Sequence, residues 1–209
     1  MSDVRSRYRR VFDDGSDTER MVFFSDAVFA IALTLLVIDL AVPEDRDGTA
    51  GEVLLGLWPN FLAYALSFTI IAINWVSHYR RYRVIKTHDS WLLLLNLVLL
   101  FFIALLPFPT SLLSSYSGQA PAVALYAFVV GLLSALQWAT WQYAYSKGMV
   151  DASVDKGLFR WVRINQLAVP LVFWASIPIA ILWDGGIAMY FWFALFPVNF
   201  IIGRMSRRY

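Results

Sequence analysis

The segment from Arg20 to Pro43, RMVFFSDAVFAIALTLLVIDLAVP, carries two carboxylates inside an otherwise apolar stretch. Ionisable groups are costly in the hydrocarbon of a membrane, where they usually pair with another group or mark an ion pathway. Asp26, near the start, is therefore either a buried structural carboxylate paired with Arg20 or His78, or a group that acts in transport. Asp39, near the end, can either reach the membrane surface or gather cations at a mouth.

One face of this segment is aliphatic when the residues are placed on a helix that turns by about 100° per residue. The face consists of Phe24, Val28, Ile31, Leu35, Ile38 and Val42, with Thr34 on its flank. Asp26 lies roughly 140° from Ile31 on the same wheel, so its side chain is predicted to point into the bundle. Lipid contact and helix packing also produce such a stripe, so the periodicity alone does not demonstrate a pore.

The elements that position these residues are predicted to be membrane-spanning helices. The chain of 209 residues is 59% apolar and only 15% charged, too few charges to cover a soluble fold of this size. Six stretches are long and apolar enough to cross about 30 Å of hydrocarbon as helices. The predicted spans are 21–42, 53–79, 90–114, 120–146, 160–183 and 186–203. We therefore predict an all-α integral membrane protein with a six-helix domain over 21–203.

The basic residues divide unevenly between the two predicted sides of the membrane. Sixteen of the 17 Lys and Arg residues lie in the N-terminal arm, the second and fourth linkers and the C-terminus, and only Arg46 falls on the other side. Positive residues favour the cytoplasm, which predicts a cell-membrane protein with a cytoplasmic arm over 1–20 and a basic cytoplasmic tail over 204–209. Both termini on one side require an even number of spans. The polar arm has no apolar segment typical of a signal peptide.

Other classes of function have little support in the sequence. Cysteine is absent, and His78 and His88 are the only histidines, with no acidic cluster at the spacing of metal ligands. Nucleotide-binding loops, nucleophile elbows and paired catalytic carboxylates are not visible either. A net charge of +2 gives no basic surface for nucleic acid. We predict neither an enzyme nor a resident cofactor or metal.

One motif in the first span is specific enough to indicate a family. The pattern R-x-x-x-F-S-D, formed by Arg20, Phe24, Ser25 and Asp26 and followed by AVFAIALTLLVIDLAVP, resembles the first span of the lysosomal potassium channel family, transmembrane protein 175. It is most similar to the bacterial six-span members. Later matches are weaker, and they consist of Trp75, His78, Asn96 and the stretch LLPFPTSLL. Ala27 stands where many relatives have glycine.

The resemblance implies a symmetric tetramer that conducts potassium, with other monovalent cations as further candidates, through a pore lined by the four first helices. It implies a hydrophobic constriction at Ile31, with Leu35 and Ile38 as further layers, and a hydroxyl at Thr34 that takes part in ion selection. It also implies a structural polar network of Arg20, Ser25, Asp26, His78 and Asn96. No TVGYG-like stretch is present to form a carbonyl filter. The implied function is a potassium-selective leak channel.

A secondary cation or proton carrier that uses Asp26 or Asp39 is the alternative function. The two halves of the chain share no evident repeat, which weakens this alternative. Prolines do interrupt later spans, at Pro107, Pro109, Pro170, Pro178 and Pro197, so the alternative stays open.

Overall fold

The computed structural model describes residues 18–42 and 49–195, and these ranges form an all-helical bundle. Most of the N-terminal arm, the C-terminal tail and the last part of the predicted sixth span lie outside them. The α-helices are α1 (Thr18–Leu35), α2 (Ala50–Gly56), α3 (Trp58–Tyr82), α4 (Ser90–Leu105), α5 (Pro107–Ser115), α6 (Ala120–Ser146), α7 (Lys156–Asn165), α8 (Ala168–Leu182) and α9 (Gly185–Phe191). Two 3-10 helices, Leu36–Leu40 and Trp192–Ala194, continue α1 and α9.

Five helical segments are long and apolar enough to cross a membrane. They are Thr18–Leu40, Trp58–Tyr82, Ser90–Ser115, Ala120–Ser146 and Lys156–Leu182. The sixth predicted span begins at α9, but its described part, Gly185–Ala194, is too short to cross a bilayer alone. The membrane-protein class is thus supported with five spans, and the six-span prediction extends into residues that the structure does not describe.

The second and third predicted spans are each divided into two helices in the structure. The interval 53–79 covers two helices, because α2 ends at Gly56 and α3 begins at Trp58 and continues to Tyr82. Pro59, in the first turn of α3, favours this start, because the N–H group that proline lacks would have no helical partner at this position. The interval 90–114 is likewise divided at Leu106, between α4 and Pro107 of α5. These prolines interrupt the hydrogen-bond pattern, and Ser90–Ser115 is nevertheless long and apolar enough to count as one span.

Helix α6 lies at the centre of the bundle and packs against α4, α5 and α8. Fully buried side chains along it include Tyr126, Leu133 and Trp141. Tyr126 meets Phe173 of α8, whereas Trp141 packs on Phe159 of α7. Close approach depends on Gly131, because a Cβ atom at this position would lie 2.3 Å from the indole nitrogen of Trp174 on α8. That nitrogen donates to the Phe128 carbonyl. The interior of the bundle is therefore filled with side chains.

Helix α1 packs through one face against α3 and α4. At the end of the bundle where α3 ends and α4 begins, Ile85 and Val150 form an isolated antiparallel bridge. Asp89 caps α4 by accepting from the Leu92 amide and also accepts from the Tyr143 hydroxyl at 2.6 Å. These contacts fix the ends of α3, α4 and α6 beside the start of α1. We call this end, which carries Arg80, Arg81, Arg83, Lys86 and Lys147, the basic end of the bundle.

Candidate functional site

The two faces of α1 differ sharply in burial. Ser25, Phe29 and Ala32 are buried against the bundle, as is Leu36 of the following 3-10 helix. In contrast, Ile31 is 58% exposed and Ile38 is 66% exposed. Most of the predicted stripe is exposed in the same way, through Phe24, Leu35 and Val42, while Val28 is half-buried. The aliphatic stripe is thus a surface of the subunit and does not contribute to its core.

The register of this stripe changes after Leu35, where the α-helix gives way to a 3-10 helix that ends at Leu40. The wheel of 100° per residue does not hold beyond this point, and the backbone is extended at Ala41. Since a 3-10 helix turns by about 120° per residue, Ile38 lies directly above Leu35. The two side chains therefore share one line along the axis more closely than the α-helical wheel predicts.

Thr34 occupies a second exposed strip of α1, beside the stripe. Its hydroxyl donates to the Ile31 carbonyl at 2.8 Å, one turn earlier. A hydroxyl oxygen has two acceptor lone pairs in addition to its hydrogen. With the hydrogen engaged inside the helix, these lone pairs face the exposed side and can accept from water or contact a cation. This geometry is suited to contact with partly hydrated ions.

The structure brings three of the predicted network residues together in direct contact. Asn96 of α4 donates to the Ser25 hydroxyl at 3.0 Å, and its carbonyl oxygen lies 2.9 Å from Nε2 of His78. Ser25 in turn donates to the Met21 carbonyl at 2.8 Å. All three side chains are buried. Asn96 therefore links α1, α3 and α4, and the amide acceptor requires His78 to carry its hydrogen on Nε2.

Asp26 has a different environment from the one predicted. Its carboxylate accepts from the indole nitrogen of Trp75 at 2.8 Å, and its side chain is only half-buried. Asp26 thus faces α3, on the side of α1 away from Ile31, but it is only half-buried, and Ser25 is the residue that enters the interior. Within residues 18–42 and 49–195, Asp26 forms no salt bridge with Arg20 or His78.

Arg20 and Asp39 lie near opposite ends of the α1 segment. Arg20 is exposed and borders an open cleft of about 440 Å³ between α1 and α4, which His88 and Asn96 also line. The backbone carbonyl of Asp39 accepts from Asn60 Nδ2 at 3.3 Å. That contact attaches the end of the segment to α3. Arg20 is therefore placed beside the network without a direct bond to its other members.

A second polar cluster was missed by the sequence analysis. Arg81 is buried and donates to both the backbone carbonyl and the side-chain oxygen of Gln137. Gln137 also donates to Asn74, 63 residues earlier. The available signal was Gln137 itself, an amide in the middle of an apolar span, which must find partners there. Trp75, the donor to Asp26, was identified from the sequence only as a weak family match.

The chemistry available along α1 is that of an apolar wall with an interspersed hydroxyl. No group of three or more His, Asp or Glu residues that could hold a metal ion occurs in the described parts of the chain. Side chains such as Ile31 offer no ligand for a dehydrated cation, so this surface cannot bind an ion tightly. It can control whether water and ions pass along it.

Comparisons with known proteins agree on one family. The sequence profile described as the endosomal/lysosomal potassium channel TMEM175 matches residues 20–107. A potassium channel from Streptomyces collinus is 34% identical over 197 residues, which cover 88% of this chain and 95% of the relative. A potassium channel from Chamaesiphon minutus is 43% identical over 104 residues, covering 48% of this chain and 51% of the relative. The crystal structure of a lysosomal potassium-selective channel TMEM175 homolog from Chamaesiphon minutus matches with a TM-score of 0.75 at 26% identity, covering 92% of this chain and 99% of that chain.

Proposed function

The chain belongs to the TMEM175 family of potassium channels, and we propose that it is a potassium channel whose pathway runs along the exposed face of α1. The observation that carries the proposal is the separation of α1 into a buried face and an exposed aliphatic stripe. Ile31 and Ile38 lie on the exposed face, whereas Phe29 and Ala32 are almost fully buried. A stripe of this kind either meets lipid or lines a space between subunits. Family membership favours the second role.

The pathway is proposed to lie between copies of the chain. The interior of the described bundle is occupied by fully buried side chains such as Tyr126, Ile103 and Phe173, which leave no continuous route through one subunit. An axial route then requires closed symmetry, and a ring of four α1 segments is the arrangement that the family resemblance implies. We propose a homotetramer in the cell membrane.

The constriction is assigned to Ile31, with Leu35 and Ile38 as further layers. A narrow ring of aliphatic side chains expels water, and a cation gains nothing from the wall in return for its lost hydration shell. Such a ring closes the pathway without a polar gate. Because Leu35 and Ile38 share one line along the helix axis, their two layers would follow one another directly along the pathway. Conduction then needs a state in which the ring is wider or holds water.

Ion selection is assigned to Thr34. Its hydroxyl hydrogen is engaged by the Ile31 carbonyl at 2.8 Å, which aims the oxygen lone pairs outwards. Four such oxygens around an axis would contact cations that keep part of their hydration shell. This arrangement differs from a filter of backbone carbonyls and predicts moderate discrimination between potassium and sodium.

The proposed role of the polar residues is to hold α1 in place. Ser25 is tied to α4 through Asn96, and Asp26 is tied to α3 through Trp75. These contacts lie in the first turns of α1 and point away from the aliphatic stripe. We expect Asp26→Ala to lower assembly or thermal stability before it alters ion preference. A fully assembled, stable variant with changed selectivity would instead place this group in the pathway.

The orientation proposed from the basic residues is that both termini face the cytoplasm. Reporters that work on only one side of the membrane, fused after Tyr209, test it directly. Activity of such a reporter inside the cell is expected. A C-terminal reporter active outside would contradict the orientation and the even number of spans.

The function is tested by potassium and sodium flux through purified protein in liposomes, with its mass measured in detergent. We expect flux down a gradient without exchange, from a particle of four subunits. Ile31→Asn should increase cation flux and weaken discrimination, because an amide holds water in the ring. Leu33→Met is the matched control, since Leu33 is half-buried away from the stripe and the change keeps its volume.

Two outcomes would contradict these assignments. Countertransport, in which a gradient of one cation drives uphill movement of another, would indicate a carrier instead of a channel. An assembled Ile31→Asn variant that conducts like the original protein would remove Ile31 from the constriction. In that case the assignment of α1 as the pore helix would have to be withdrawn.

A further inference from the structure

Helix α7, at the basic end of the bundle, has an unusual distribution of side chains. It contains Lys156, Arg160 and Arg163 and no residue that is fully buried. Its attachment to the bundle is made by Phe159, whose ring stacks on Tyr145 of α6 at 3.7 Å between centroids. Lys156, Arg160 and Trp161 are exposed, whereas Val162 and Arg163 are half-buried. Most of α7 is therefore a surface in the isolated subunit.

The basic residues of α7 form a single stripe. Lys156, Arg160 and Arg163 are spaced at i, i+4 and i+7, which places them within about 60° of one another on the wheel. No Asp or Glu in residues 18–42 or 49–195 lies within 4.0 Å of their charged nitrogens. Among the described residues the stripe therefore has no acidic partner at contact distance, and Arg163 lies over the Phe159 ring, 5.8 Å from its centroid.

Lys86, at the same end of the bundle, shows the contrasting arrangement. Its ammonium group lies 3.7 Å from the carboxylate of Asp151. The backbone amide of Ser153 also donates to this carboxylate, and that hydrogen bond, together with Lys86, lowers the pKa of Asp151. Lys86 is thus locally neutralised, whereas the stripe on α7 is not.

An apolar strip lies beside the basic stripe. Leu158 is 45% exposed, Trp161 is 45% exposed and Ile164 is 48% exposed. They occupy the side of the helix opposite Phe159, so α7 does not use them to dock on α6. A helix with adjacent basic and apolar strips is typical of the boundary between lipid headgroups and acyl chains.

The length of the chain between α7 and the end of α8 also places α7 at the boundary between headgroups and acyl chains. Counting back about 20 residues from Leu182, the length needed to cross 30 Å of hydrocarbon, reaches Arg163. Trp161 and Trp183 would then lie about 33 Å apart at a rise of 1.5 Å per residue, one at each interface. Lys156 and Arg160 fall just outside the hydrocarbon, at the level of the phosphate groups.

We propose that α7 binds anionic phospholipid, with Lys156, Arg160 and Arg163 around the headgroup phosphate and Leu158, Trp161 and Ile164 along its acyl chains. Charge complementarity favours an anionic lipid over a zwitterionic one, because the stripe has no acidic partner in the described part of the chain. The apolar strip favours a lipid over a soluble anion, which has no acyl chain to cover it. This inference does not depend on the position of the pore.

The test is native mass spectrometry of the purified protein in mild detergent, titrated with phosphatidylglycerol or phosphatidylcholine of matched acyl chains. The original protein should retain phosphatidylglycerol preferentially. Lys156→Gln with Arg160→Gln should weaken phosphatidylglycerol binding roughly twenty- to thirtyfold and leave phosphatidylcholine unchanged, since each cation near an anionic headgroup contributes about fivefold. Both side chains are exposed, so this variant should fold. Arg160→Lys keeps the charge and should retain most of the binding.

The matched control removes the same charge elsewhere at the basic end. Arg83→Gln with Lys147→Gln should change phosphatidylglycerol binding less than about threefold, because their cations lie over Tyr79 and Tyr143 and are not part of the stripe on α7. Equal loss in both double variants would overturn the proposal in favour of a diffuse charge effect. Equal retention of the two lipids, or displacement of phosphatidylglycerol by inorganic phosphate, would also overturn it.

Discussion

Asn96 makes contacts that connect three helices, and replacing it by Leu should destabilise the subunit by a calculable amount. The change removes the 3.0 Å bond to Ser25 and the 2.9 Å bond to His78 at a site that is 1% exposed. A buried interhelical hydrogen bond in a membrane protein contributes about 0.6 kcal/mol on average. Ser25 keeps its bond to the Met21 carbonyl, so the destabilisation at Ser25 is limited to the loss of one interhelical hydrogen bond.

His78 determines the larger part of the cost. Without Asn96 its Nε2–H group would be buried without an acceptor, which costs roughly 1–3 kcal/mol. Together the two effects give about 1.6–3.6 kcal/mol per subunit, or a fall in melting temperature of roughly 3–14 °C for a chain of this size. Thermal unfolding in detergent, followed by tryptophan fluorescence, measures the change. Asn165→Leu is the control, since the Asn165 side chain bonds only to its own helix.

A double variant separates the unpaired His78 from the lost packing. His78→Phe keeps a ring between Phe29 and Tyr82 and removes both nitrogens. It should cost clearly less in the Asn96→Leu background than in the original protein, because the unpaired group is then already absent. Equal costs in the two backgrounds would refute the account of His78. A melting temperature of Asn96→Leu within about 1 °C of the original would refute the assignment of Asn96 as a structural link.

Three further variants test neighbouring contacts. Tyr126→Phe removes the 2.9 Å bond to Ser67 and should lower the free energy of unfolding by about 0.5–1.5 kcal/mol in a denaturation assay. Gly131→Ala places a Cβ atom 2.3 Å from the Trp174 indole and should cost about 1–3 kcal/mol, part of which Trp174→Ala should recover in the same melting assay. Thr34→Ala should weaken the potassium-to-sodium flux ratio with a smaller change in total flux than Ile31→Asn, because it removes a hydroxyl and leaves the aliphatic layers in place.

The sequence was sufficient to predict which face of α1 enters the bundle. Its apolar residues are periodic, so the wheel separated Ile31 from Asp26, and in the structure Ile31 is exposed whereas Asp26 contacts Trp75 of α3. The span 120–146 was also predicted at its observed limits, because Pro121 begins the helix and Lys147 and Gly148 end it. Local signals determine both features.

Partners across the bundle could not be predicted in this way. The wheel places Asp26 on a face of α1 but does not show which helix packs there, and Trp75 is 49 residues away. Arg81 was counted among the basic residues of a loop, yet α3 continues past it and buries it against Gln137, 56 residues later. An arginine at a span end is normally solvated, so only the tertiary packing indicates that this one is enclosed.

The polar attachments of α1 lie at its ends, and this arrangement has a consequence for the proposed pore. Ser25 and Asp26 fix the start of the segment, and the Asp39 carbonyl bonds to Asn60 near its end. Between them, Ile31 and Leu35 lie on a stretch held by apolar packing through its opposite face. Apolar contacts are not directional, so this stretch can shift or rotate slightly without breaking a hydrogen bond. We therefore expect the ends of α1 to determine assembly and its middle to determine conduction, so that substitutions in the two regions separate stability from flux.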